Sequence, residues 1–241
     1  MTCLGRFADG LADMNKALEG AVAANDRNGM AMAHCALAFS RLVAGEYAEG
    51  IESSRRLLEI SEKTGAEVFR YGSNAMLAWG AFRLDQPNEA RHYWDAAHEI
   101  AQALGGRIFF AEWFGAIEAE FVLHCGDPVE GLRRAEEALK LSRNAGSIIG
   151  EGLSECTIGK ALAAQSGSGD EACAHVMKGI GILEGIGAQY DLARAVLTEA
   201  QAHALCGDRT AARAAAEKAA ALLRACGLAK EEAVARALIE N

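Results

Sequence analysis

Three groups of residues in this chain are of types that bind or transform small molecules. The first is a glycine cluster, Gly179, Gly181, Gly185 and Gly187. A G-x-G-x-x-G turn between a strand and a helix cradles a pyrophosphate on backbone N–H groups. Here the third glycine comes one residue late and no strand pattern precedes it. The second group pairs histidine with cysteine: His124 beside Cys125, and His203 three residues before Cys206. An i, i+3 pair shares a helix face and suits a metal ion, but no further ligand pair with fitting spacing accompanies either one. The third group is acidic: Glu136 with Glu137 and Glu231 with Glu232, which read as solvated helix faces or first-turn charges. The G-x-S-x-G, G-x-x-x-x-G-K and H-E-x-x-H patterns are absent from the sequence. The sequence therefore leads us to expect no catalytic residue, no cofactor and no metal.

Composition narrows the class. The chain has 241 residues, 51% of them apolar, with only 2 Pro and few aromatics. An Ala-rich, Pro-poor chain favours helix. A formal charge of −9 argues against a nucleic-acid surface, which needs a basic stripe. No run of 18 apolar residues suggests a membrane span, and the N-terminus shows no secretory signal. The cysteines, Cys3, Cys35, Cys125, Cys156, Cys173, Cys206 and Cys226, are odd in number and scattered. They read as small buried thiols in a reducing compartment, and the expected location is the cytoplasm.

The elements that would hold any site are set by a repeat. Turn-like segments run Gly5–Gly10, Gly45–Gly50, Asp85–Ala90, Gly126–Gly131, Gly167–Ala172 and Gly207–Ala212, and their closing small residues recur every 40 or 41 residues. Ala38, Ala78, Ala119 and Ala200, with Gly159 one place off, lie about twelve residues before these positions. Gly65, Gly105, Gly146, Gly187 and Gly227 form a third series in phase, suited to left-handed helix caps. Helical hairpins of this length bury their apolar faces only by stacking. Small residues belong where helix axes cross closely. Gly179 falls in register with Ala97, Ala138 and Ala219, so the glycine cluster reads as packing, although each glycine weakens its helix by nearly 1 kcal/mol relative to Ala. Cys125 and Cys206 are repeat-equivalent, with Ala44 and Ser166 in the same place, and read as packing as well. Asp127 and Pro128 form an N-cap with Pro at the first helical position, and Pro87 repeats that arrangement one unit earlier.

The spacing predicts a second-type helix over 5–24, hairpins over 29–65, 68–105, 108–146, 148–187 and 190–227, and a last helix over 229–240, in one solenoid spanning 1–241. The fold class is all-α, an α-α superhelix of about five hairpins plus terminal helices. The small residue in the first helix, its partner twelve places on, and the further small residue at Ala17, Ala97, Ala138 and Ala219 resemble the tetratricopeptide repeat. The units are six or seven residues longer than the usual 34, and the Trp-Leu-Gly-Tyr signature is degenerate. The longer cadence looks like the C-terminal repeats of bacterial signalling ATPases, either maltose-regulator-type activators or class III adenylate and guanylate cyclases carrying an ATPase module.

That resemblance implies a scaffold or sensor arm whose first helices line a concave groove. The residues expected there are Phe39, Asn74, Trp79, Arg83, Trp113, Glu120, His124 and Gln201, an aromatic end grading into a polar one. Aromatic and Arg anchors are typical of peptide hot spots. The expected partner is a protein or peptide, with no nucleic acid and no membrane. The alternative is a peptide or small-ligand sensor controlling an attached ATPase or cyclase module. The helix over 5–24 lacks a first helix, so its stripe of Phe7, Leu11, Met14, Leu18 and Val22 calls for a cap, either upstream domains or a second copy in a homodimer.

Overall fold

The computed structural model describes residues 7–105, 108, 110–165 and 169–240. Cys3 and Ser166 lie outside the described residues. All described elements are helices, and they follow the repeat. The chain divides into two compact units, residues 1–110 and 111–241.

The first unit holds α1 (Phe7–Ala23), α2 (Arg27–Val43), α3 (Tyr47–Thr64), α4 (Glu67–Arg83) and α5 (Pro87–Ala103). The second holds α6 (Ala111–His124), α7 (Pro128–Ala145), α8 (Ile148–Ala164), α9 (Gly169–Gly185), α10 (Gln189–Leu205), α11 (Arg209–Ala225) and α12 (Ala229–Glu240). Within each unit every helix packs on the next in the chain. Even-numbered helices also touch across one intervening helix, as α2 does with α4, α6 with α8, α8 with α10 and α10 with α12. Within each unit the even helices, which open each hairpin, thus form a tighter row, and the odd helices lie outside them.

Local chemistry explains where each helix starts and stops. Asp26, Asp127, Ser147 and Asp208 cap helix N-termini, their side chains accepting hydrogen bonds from Asn28 N (3.1 Å), Glu130 N (3.0 Å), Gly150 N (3.4 Å) and Ala211 N (3.0 Å). Pro87 and Pro128 open α5 and α7, where a missing N–H is harmless. Gly65, Gly105, Gly146, Gly187 and Gly227 all take φ between 66° and 74°, the left-handed conformation that the third glycine series implied.

The two rows differ in what they bury. Helix α4, enclosed in the even row, buries Tyr71 and every residue from Ser73 to Phe82. Helix α7, in the outer row, buries only Gly131, Ala135, Ala138, Leu139 and Ser142, one stripe of its surface. Small residues mark the closest crossings. A Cβ built on Gly159 of α8 would lie 2.5 Å from the carbonyl oxygen of Ala172 in α9. A Cβ on Gly179 would lie 2.6 Å from the carbonyl oxygen of Gly152. Within the glycine cluster it is Gly179 that lets α9 approach α8 to backbone distance, whereas Gly181, Gly185 and Gly187 have open space around an added Cβ.

Candidate functional site

In the first unit the even row presents an aromatic group. Phe39 of α2 is half-buried and meets the Trp79 ring edge-on, with centroids 5.9 Å apart. Its other face stacks on Phe110 at 5.3 Å. Both geometries suit the ring quadrupole. Four residues C-terminal to Trp79, half-buried Arg83 holds its guanidinium 4.6 Å over the Phe82 ring, a cation–π contact.

The other expected groove residues divide by burial. Trp79 is 2% exposed, Trp113 5% and Asn74 6%. These three belong to the core, which corrects the expectation that they face a partner. Asn74 donates its Nδ2 to the carbonyl of Arg70 at 2.8 Å, within its own helix. Trp79 buries its Nε1 with no hydrogen-bond partner among the described residues. Their burial follows from the position of α4 and α6 in the even row. In the second unit Glu120 and Gln201 are half-buried and His124 is exposed at the end of α6. Phe39 and Arg83 remain in the first unit as accessible side chains.

The second unit holds a charged cluster that sequence spacing did not single out. Glu155 of α8 is 0% exposed. Its Oε1 accepts hydrogen bonds from Lys178 Nζ at 2.6 Å and from the Arg143 guanidinium at 2.9 Å, and its Oε2 lies 2.6 Å from His175 Nδ1. Arg143 also reaches Glu151 at 3.1 Å. Burial pushes the Glu155 carboxyl up, but the hydrogen bonds from Lys178 and His175 outweigh it and hold the group below the usual carboxylate range. A second such group joins Glu118 of α6 to Arg134 of α7, which also pairs with Glu130. A third joins Arg194 of α10 to Glu231 of α12 at 3.2 Å. Each ties an even helix to another element of the second unit. The available signal was Glu155 near the middle of α8, a helix otherwise rich in Gly, Ile and Ala.

The thiols depart from the expected uniform burial. Cys156 is buried, Cys35, Cys173 and Cys226 are half-buried, and Cys125 and Cys206 are exposed. The last two sit where their helices give way to a turn. His203 Nδ1 lies 3.7 Å from Cys173 Sγ on α9. Among the described residues no three His, Cys, Asp or Glu side chains are grouped to hold a metal ion, and no helix is long and apolar enough to cross a membrane.

Compared with known proteins, the sequence matches no family model and no curated relative.

Proposed function

We propose that the chain is a non-catalytic protein–protein interaction scaffold of tetratricopeptide-like construction, working in the cytoplasm as the repeat arm of a bacterial signalling or transcription regulator. The observation that carries this reading is that Phe39 of α2 and Arg83 of α4, both half-buried, are each braced by neighbouring rings in the first unit. A half-buried aromatic is braced by Trp79 and Phe110, and a half-buried guanidinium lies over Phe82. Anchors already held in place lose little side-chain entropy on binding, and Arg and aromatic residues dominate protein hot spots. The most deeply held carboxylate, Glu155, is saturated by basic partners and closed to solvent, which suits a structural part better than an acid–base catalyst.

The test is affinity capture from a bacterial extract with the wild-type chain and with the Phe39→Ala/Arg83→Ala double variant. The expected result is a protein partner retained by the wild type and lost by the variant, with the same helical circular dichroism in both. Equal retention by the two chains would overturn the assignment of these residues.

A further inference from the structure

Among the described residues, three non-glycines hold φ in the left-handed region: Asn25 at 51°, Asp85 at 59° and Phe110 at 59°. Asn and Asp visit that conformation readily, because a short polar side chain can hydrogen-bond locally. A bulky aromatic does not, and an outlier of this kind persists only where its surroundings sustain it.

Register shows what Phe110 gives up. Helices α4, α8, α10 and α12 each open two residues after a left-handed glycine, at Glu67, Ile148, Gln189 and Ala229. Helix α6 opens at Ala111, six residues after Gly105. The fifth residue after the glycine is helical in α4, α8 and α10, as Arg70, Glu151 and Leu192. At the same place Phe110 is left-handed and stands before its helix.

Its ring offsets that loss. Phe110 is half-buried and stacks on Phe39, with an interplanar angle of 15° and centroids 5.3 Å apart, a spacing favoured for stacked aromatic rings. Phe39 also meets the edge of Trp79, so it keeps an aromatic neighbour when Phe110 leaves. One face of Phe39 is thus filled by a side chain whose backbone is strained.

We infer that Phe110 is a stand-in for an aromatic side chain of the partner. It covers Phe39 in the free chain, and a protein segment bearing Phe, Tyr or Trp displaces it by stacking in its place. The incoming ring carries no left-handed backbone, and Phe110, once released, takes the helical conformation of its register position. The covered fraction of chains lowers the partner's apparent affinity. The inference rests on the reading of Phe39 as a partner anchor.

The probe is N-acetyl-L-phenylalanine amide, added to the full chain. In Phe110→4-fluorophenylalanine the fluorine resonance should move toward that of a solvated ring as the amide binds. Phe110→Gly removes the ring and the strain, and Phe110→Asn removes the ring while tolerating the left-handed backbone. With the fold checked by circular dichroism, each should bind the amide about tenfold more tightly than the wild type. Phe39→Ala should abolish binding in either background. Equal affinity of the wild type and both variants overturns the inference, as does an amide that binds neither variant or a fluorine resonance that stays in place at saturation. Partner capture from a bacterial extract separates the two readings. A partner lost on Phe39→Ala but retained equally by the wild type and Phe110→Gly overturns the stand-in and leaves the scaffold. No partner, with the amide still favouring Phe110→Gly, supports displacement at Phe39 and removes the scaffold.

Discussion

His175 Nδ1 lies 2.6 Å from Oε2 of Glu155, joining α9 to a carboxylate that α8 keeps entirely from solvent. Lys178 and Arg143 complete the arrangement from α9 and α7. Removing one partner of a buried ion pair costs about 3–5 kcal/mol when the other charge is left stranded. Here the cations stand half-exposed and can regain water, so Glu155→Ala should cost less, about 2 kcal/mol. Urea titration measures this directly.

Acidity acts on the same group. The folded carboxyl is held below its ordinary value by Lys178 and His175. Its contribution is therefore complete above the unfolded pKa of about 4.3 and is lost as pH falls through the folded value. Melting curves between about pH 7 and about pH 3 should show a steeper acid decline for the wild type than for Glu155→Gln. Parallel declines would show that the carboxylate does not govern the acid limb.

Two glycine substitutions separate backbone conformation from packing. Gly65 has φ 70° and open space around an added Cβ, so Gly65→Ala should cost about 1 kcal/mol through the left-handed backbone alone. Gly159 is helical, but an added Cβ would meet the Ala172 carbonyl oxygen and Val176 Cγ2, each at 2.5 Å. Gly159→Ala should cost more, about 1–3 kcal/mol, by forcing α8 from α9. The ranking can be read from midpoints in denaturant.

The legible part of the fold was the part governed by local rules. Gly65, Gly146 and Asp127 announce caps because a cap depends on a few consecutive residues. Trp79 was legible as a large aromatic on a first helix, but its side of the boundary was not. Helix α4 is enclosed all round from Ser73 to Phe82, so its apolar pattern there has no polar face to orient it. Phe39 and Arg83 kept access while Trp79, Asn74 and Trp113 did not. Glu155 escaped notice because its partners lie 12, 20 and 23 residues away on two other helices.

Trp79 itself gives a stability prediction. Deleting a fully enclosed indole costs about 3–5 kcal/mol, so Trp79→Ala should lower the melting temperature sharply. Arg83→Ala, at a half-buried position, should leave it nearly unchanged. If Trp79→Ala melts like the wild type, its assignment to the core fails.

Thiol accessibility should follow position along the helices. Cys125 and Cys206 are exposed, Cys35 has its thiol pushed up to about 11 by burial, and Cys156 is raised further still. Since the thiolate is the reactive form, timed alkylation read by peptide mass spectrometry should label Cys125 and Cys206 first and Cys156 only on unfolding.

The left-handed glycines at 65, 105, 146, 187 and 227 divide the chain into interchangeable lengths. Gain or loss of 40 or 41 residues between two such glycines would leave every remaining helix in its own row. A change of half that length would exchange rows, placing enclosed side chains such as Trp79 in water and solvated ones such as Glu136 in the interior. Variation in copy number should therefore come in whole hairpins, as a ladder is lengthened only by adding a rung with its spacing.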